Sequence, residues 1–292
     1  MTCAVVLHHE LAEARKGLRQ ITLSCCRSHE PWLNGRCADR QDVAVDYRDQ
    51  VTVVTGASSG LGRRLALDLA AAGATVIGIA RREDRLKALG LDYRVCDVGD
   101  VAFYVEVLHD LEAAHGRIDI LLNVAGIGGI IHHQTPSLET TRQVMEVNFF
   151  ATYASMLAVL PGMRTRRHGV IANMSSDDAR SPGPGAGDYC ASKAALSAAT
   201  ESLAYDARDD GVRLHVVYPA WVATEMGLRA VRTGGLTMPP RGARRTEAQV
   251  SSLVLRRLGG LRVEINCATL PLVAPVLRSV APLTYHRMRA KR

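Results

Sequence analysis

Val51-Thr-Val-Val-Thr-Gly-Ala-Ser-Ser-Gly-Leu-Gly62 sets the architecture of this 292-residue chain. Val51–Thr55 is a short β-branched run that ends in glycines, as buried parallel strands do. From Gly60 to Ala72 the sequence turns helical and Ala-rich, and Gly73 stops it. The segment therefore reads strand, glycine turn, helix. Gly56, Gly60 and Gly62 follow the spacing T-G-x-x-x-G-x-G. Glycines so placed permit a tight turn and close backbone approach, and they leave a helix N-terminus free to hold a pyrophosphate. A glycine triplet alone is a weak signal. Its position between a strand and a helix makes it specific.

Outward from this unit, apolar runs and helical stretches alternate. Ala74–Ala80 reads as a second strand, followed by a charged helix around Glu83–Leu89. Strand-like runs recur at Tyr93–Cys96, Ile118–Val124, Val170–Met174 and Arg213–Tyr218, with helices at Val101–His115, Leu138–Leu160 and Ala191–Asp209 between them. Such alternation predicts right-handed βαβ units and an α/β fold, a doubly wound parallel sheet of Rossmann type, in a single domain. Residues 1–48 show neither alternation nor a sustained helical stripe and read as an appended, poorly ordered extension. The catalytic domain is expected over 49–266, with a substrate loop at 226–248 marked by Gly234, Gly235, Pro239 and Pro240. A basic, apolar segment, 267–292, follows. Leu261–Ile265 is the best candidate for a last strand.

Composition narrows the function classes. Aromatics make up 4% of the chain against 47% hydrophobic residues, so the core must be aliphatic. The seven cysteines form no C-x-x-C pair and are odd in number. This argues against disulfide scaffolding and structural zinc, and for a reducing, cytoplasmic setting. The pairs His8-His9 and His132-His133 lack carboxylates or cysteines at ligand spacing, and no metal is expected. The net charge of +7 is concentrated after Met226, where thirteen Lys/Arg face two Glu. This suggests peripheral membrane contact as readily as a solvated arginine-biased tail. No nucleic-acid partner is expected. No signal peptide is read at the N-terminus, and prolines interrupt the apolar run 265–284 too often for a spanning helix.

The end of the second strand bears on the cofactor. An NAD site usually places an acid there for the ribose hydroxyls. This chain has Ala80-Arg81-Arg82 instead. Guanidinium forks suit a 2′-phosphate, which favours NADP(H) over NAD(H).

Tyr189-Cys-Ala-Ser-Lys193 places a phenol and an amine at i and i+4, on one helical face. A neighbouring ammonium should stabilise the phenolate and bring its pKa toward the working pH. Ser176 follows the strand Val170–Met174, where open α/β sheets place ligands. Asn123-Val-Ala-Gly126 ends another strand, and Asn148 sits in the next helix.

With these residues in order, the chain resembles the short-chain dehydrogenase/reductase family, the subgroup with T-G-x-x-x-G-x-G and Tyr-x-x-x-Lys, from about Gln50 to Met226. The resemblance implies that Tyr189 is the general acid/base and that Ser176 hydrogen-bonds the substrate oxygen. It implies that Lys193 holds the nicotinamide ribose and tunes Tyr189, and that Asn148 anchors a water leading to Lys193. Gly56, Ser58, Ser59, Gly60, Leu61 and Gly62 would cradle the pyrophosphate, with Arg81 and Arg82 at the 2′-phosphate. Asp97 and Val98 would face the adenine, and Asn123, Ala125 and Gly126 would line the cofactor cleft. Thr224 would reach the carboxamide, with Pro219 and Val222 also counted as cofactor contacts. The family's usual Pro-Gly is Pro219-Ala220 here, and its C-terminal Asp-Gly-Gly is absent. Asp177-Asp178 is unusual after the serine; the pair either shapes a polar pocket mouth or faces water, and water is the favoured reading.

The function implied is carbonyl–alcohol interconversion on a lipophilic small molecule, by a homo-oligomer packed through Leu138–Leu160 and Ala191–Asp209. A non-catalytic NADP(H)-binding sensor or scaffold is the alternative, although such a protein would be expected to lose Tyr189 or Lys193.

Overall fold

Seven parallel strands form the sheet, and the first two are the runs on either side of the glycine turn and the helix it opens. The computed structural model describes residues 45–128, 137–232, 238–239, 241–268 and 270–290. Most of the 1–48 extension, His132-His133, Gly234, Gly235 and Pro240 lie outside these. β1 (Val51–Thr55) pairs with β2 (Thr75–Ala80) on one side and β4 (Ile120–Asn123) on the other. The order is β3-β2-β1-β4-β5-β6-β9, with β3 Asp92–Val95, β5 Gly169–Met174, β6 Val212–Tyr218 and β9 Glu264–Asn266. The order reverses between β1 and β4, the switch point at which open α/β sheets bind ligands beyond their strand ends.

Helices cover both faces, which is why the strands read as unbroken apolar runs. Val53, Ile77, Ile79, Leu121, Ile171 and Leu214 belong to one core cluster. Their neighbours Val54, Val76, Ile120, Leu122, Val170 and Val217 belong to the other. Fully burying each such side chain contributes roughly 1.5–3 kcal/mol. Asp119, just before β4, is buried and accepts the Val51 N–H at 2.9 Å and Arg117 Nε at 2.8 Å, anchoring the start of β1. Tyr47 also joins the core and donates its hydroxyl to the Leu255 carbonyl at 2.6 Å, so the fold reaches back before Gln50.

The helices that position the site are α1 (Gly60–Ala71), α2 (Glu83–Lys87), α3 (Val101–His115), α4 (Leu138–Met145), α5 (Ala151–Arg166) and α6 (Gly187–Ala207). A π-helical turn, Glu146–Phe150, joins α4 to α5 and carries the fully buried Asn148. The run Leu138–Arg166 is long and apolar enough to cross a membrane, but 44% of its apolar window is buried in the fold. Helix α6 begins at Gly187, four residues earlier than the sequence suggests, so Tyr189 stands in its first turn.

The last strand is a correction. It occupies Glu264–Asn266, not Leu261–Ile265, because Val216–Tyr218 of β6 offers its free edge in register with those three residues. Leu261 is left exposed. After β6 come β7 (Trp221–Val222), α7 (Glu225–Arg232), β8 (Arg244–Arg245) and α8 (Glu247–Arg257). Two C-terminal helices follow, α9 (Leu270–Val280) and α10 (Pro282–Ala290).

Candidate active site

The strand ends and their following loops open into a cleft of about 730 Å³. Its floor is the glycine turn. A Cβ on Gly62 would lie 2.4 Å from the Gly56 carbonyl oxygen, so only glycine lets the first turn of α1 close onto the loop. Thr55 ties the loop to β4's exit by accepting the N–H groups of Val124 and Ala125 at 2.9 and 3.0 Å. A backbone cradle that any side chain would fill suits a pyrophosphate held by N–H groups at a helix N-terminus.

Gly56, Ser58, Ser59, Gly60, Leu61, Gly62, Arg81, Arg82, Asp97 and Val98 line this cleft with Ala125, Gly126, Pro219, Val222 and Thr224. Asn123 does not. It is buried, accepting from Tyr104 Oη (3.1 Å) and Ser155 Oγ (3.2 Å) and donating to Asn173 Oδ1 (2.9 Å). It is a strut across β4 and β5, and its expected place on the cleft wall is corrected.

Arg82 caps the start of α2 and directs its guanidinium at the glycine turn, donating to Ser58 Oγ at 3.0 and 3.2 Å and to Ser59 Oγ at 2.8 Å. Arg81 is more exposed and lies 3.4 Å from Asp97. The donor set of two guanidinium forks and two hydroxyls fits an anion at the rim.

The proton-transfer groups meet at the other end. Tyr189, Lys193 and Ser176 all line the cleft, with Ser176 near enough to the Tyr189 phenol to favour its ionised form. Lys193 is buried, and its Nζ donates to the Met174 carbonyl at 2.8 Å. Burial pushes its pKa down to about 8. Tyr189 departs from expectation. Burial raises its phenol above the ordinary range, with Ser176 opposing and Asp178 adding to the rise. The Lys193 ammonium is 6.0 Å from the ring centroid, too far to offset desolvation. Ser175 faces away, bonded to the Lys193 carbonyl at 3.1 Å and to Ser197 Oγ at 2.7 Å.

Asn148 binds both backbone groups of Ile127. Its Oδ1 accepts the N–H at 2.8 Å, and its Nδ2 donates to the carbonyl at 2.7 Å and to Ser192 Oγ at 3.0 Å. Its Oδ1 and the Lys193 Nζ both lie within 3.4 Å of the point where a Gly126 Cβ would stand. The two atoms are therefore neighbours.

The acidic pair after Ser176 also departs from the favoured reading. Asp178 lines the cleft. Asp177 is half-buried, and its buried Oδ1 has no hydrogen-bond partner among the described residues. Burial, then the Asp178 charge, raises its pKa to about 6. The short 3₁₀ turn Asp177–Ala179, capped by Ser176 Oγ at 3.2 Å from the Asp178 N–H, leaves both residues half-buried.

Sequence reasoning missed Gly128, whose Cβ would stand 2.2 Å from Tyr189 Cδ2. It also missed Trp221, which lines the cleft with a buried indole N–H lacking a partner among the described residues. Neither sits in a recognisable motif. Among the described residues no three His, Cys, Asp or Glu cluster as a metal site.

Comparison with known proteins decides the family. The short chain dehydrogenase family model matches residues 50–233. The chain belongs to the short-chain dehydrogenase/reductase family. It is 30% identical over 267 residues to dehydrogenase/reductase SDR family member 7B of Bos taurus, covering 84% of this chain and 82% of that one. It is 33% identical over 209 residues to the 3-oxoacyl-(acyl-carrier-protein) reductase FabG of Escherichia coli K12, covering 68% and 85%. A short-chain dehydrogenase of Burkholderia cenocepacia, solved in complex with NADP, matches with a TM-score of 0.72 at 25% identity, covering 85% of this chain and 100% of that one. Membership in this oxidoreductase family accords with the Rossmann-type sheet and with a cleft sized for small molecules.

Proposed function

We propose that the chain is an NADP(H)-dependent oxidoreductase that interconverts a carbonyl and a secondary alcohol on a lipophilic substrate. The observation that carries this is the convergence of Tyr189, Ser176 and Lys193 on the same cleft as the glycine cradle. Bound there, the nicotinamide cofactor supplies or accepts the hydride.

The chain's own groups manage the proton. A phenol held neutral by burial is a donor aimed at the substrate oxygen in the reducing direction. Ser176, on the same cleft wall as Tyr189, positions that oxygen. Lys193, with a pKa of about 8, exchanges its proton near neutral pH. A water anchored by Asn148 beside Lys193 would continue the relay. Asp97 and Val98 face the adenine, and Thr224 closes the nicotinamide end.

For NADP(H), the support is Arg82 on the glycine-turn serines with Arg81 beside it, together with the NADP complex of the Burkholderia relative. For a lipophilic carbonyl, it is the apolar wall of Ile127, Val147, Trp221 and Met226 and the likeness to a 3-oxoacyl reductase. Exposed Leu138, Phe150 and Leu157 on α4 to α5, with Tyr205 on α6, form the face we assign to homo-oligomer packing. Exposed Val273, Val276, Val280 and Leu283 beside Arg278 and Arg287 suit peripheral contact with an anionic membrane.

The test is oxidation of NADPH and NADH against lipophilic and small polar carbonyls, with Tyr189→Phe as control. Turnover with NADPH that falls at least ~100-fold in the variant is expected. Undiminished turnover in Tyr189→Phe would sink the mechanism. NADPH binding with no turnover would favour the sensor or scaffold reading.

A further inference from the structure

Glu225 opens α7, at the start of the segment 226–248 read as the substrate loop. Its carboxylate crosses the cleft rim to the other side of the cofactor cradle. Oε1 lies 2.6 Å from Arg85 Nη1, and Oε2 lies 3.2 Å from Arg82 Nη1. The rest of the Arg82 fork is committed to Ser58 and Ser59. Hydrogen bonds from Arg85 and then Arg82 hold the Glu225 carboxyl below the usual range, so it is charged at neutral pH. Glu225 thus occupies a donor of Arg82, which the cofactor reading assigns to a phosphate, and Arg85 beside it.

We propose that Glu225 is a resident stand-in for the cofactor's 2′-phosphate, and that phosphate binding at Arg82 and Arg85 releases α7 from the cofactor rim. This rests on the NADP(H) reading given above and adds Arg85 to the phosphate site. A phosphate carries about −1.5 to −2 charges and three acceptor oxygens, against one charge and two oxygens for the carboxylate. It therefore wins the same guanidinium groups. The carboxylate lowers net affinity for a phosphorylated cofactor, because its own ion pairs must be given up. A cofactor without the 2′-phosphate leaves Glu225 where it is.

The consequence reaches the substrate side. Thr224 accepts the Gly227 N–H at 3.2 Å, and a Cβ on Gly60 would meet the Thr224 methyl at 3.2 Å, so the first turn of α7 abuts the glycine loop. Trp221, Met226, Gly227 and Ala230 line the cleft from this segment. Freeing Glu225 removes the charged tie that holds them to α2. Cofactor identity and substrate-wall mobility are thereby linked, and the linkage is reciprocal.

Fluorescence titrations of full-length wild type and Glu225→Gln with NADPH and NADH test this, alongside hydrogen exchange of residues 221–232. Two exposed ion pairs predict that E225Q binds NADPH about three- to tenfold more tightly and NADH unchanged. NADPH, and not NADH, should speed exchange in α7 of the wild type, and E225Q should show the faster exchange without cofactor. A wild-type preference for NADPH that E225Q leaves unaltered, or equal tightening for both cofactors, overturns this inference alone. Equal binding of both cofactors by the wild type overturns the NADP(H) reading and the inference with it.

Discussion

Gly128→Ala would place a methyl carbon 2.2 Å from Cδ2 and 3.0 Å from Cγ of Tyr189. Optimal carbon contacts lie near ~3.5–4.0 Å, so something must yield by roughly 1.3 Å or more. The backbone yields poorly. Gly128 has φ +144, a region essentially reserved for glycine, where another residue costs on the order of 1–3 kcal/mol. The clash falls near the base of the ring, so the tyrosine cannot escape by moving its far end. A displacement of about 1 Å at a catalytic group costs about 100-fold in rate. Gly128→Ala is therefore expected to lower kcat about 100-fold and the Tm by roughly 2–4 °C per kcal/mol of strain. NADPH affinity should hold within about threefold, because the pyrophosphate cradle and Arg82 are separate sites. The assay is NADPH oxidation with whichever carbonyl the wild type turns over, with a thermal melt in parallel. Gly187→Ala is the control: it lies two residues before Tyr189, and its Cβ meets nothing within 4 Å. It should leave kcat unchanged. Wild-type kcat in Gly128→Ala would refute the claim that glycine there seats the tyrosine.

Two further predictions concern stability. Burial lowers the folded pKa of Lys193 from 10.5 to about 8, so between those values the unfolded chain holds more protons and stability rises with pH. Lys193→Met lacks this titration, and paired melts should show the wild type gaining on the variant from pH 8 toward 10, by on the order of 1–3 kcal/mol; parallel pH slopes would contradict the burial argument. Ala220 sits at φ +62, where the family usually has glycine, so Ala220→Gly should raise stability by about 1 kcal/mol in denaturant melts, and a loss would show that the turn carries no strain.

Much of the architecture was legible because it depends on local spacing. The β-branched run before Gly56 and the Ala-rich stretch after Gly60 each declare one element, and the alternation repeats along the chain. The last strand was misplaced because Leu261–Ile265 alternates apolar and charged residues as a strand does, whereas its true position depends on the edge that β6 offers to Glu264–Asn266. Asn123 was expected on the cleft wall from the family resemblance. Its side chain instead serves Tyr104, Ser155 and Asn173, partners at separations that no motif reports. Asp177 and Asp178 were expected in water because carboxylates usually are. The 3₁₀ turn after Ser176 overrides that tendency.

By itself, the sequence determined the parallel sheet, the glycine cradle, and the shared helical face of Tyr189 and Lys193. Each follows from residues within one turn or one strand of each other, where backbone geometry leaves few alternatives. The tertiary structure alone decided how those groups are tuned. Desolvation raises the Tyr189 phenol and lowers the Lys193 ammonium, and burial is a property of the closed fold. Gly128 meets Tyr189 only after two loops converge, and Glu225 finds Arg82 across 143 residues of chain. Pairings of that range are set by which surfaces the sheet brings together, and no local period encodes them.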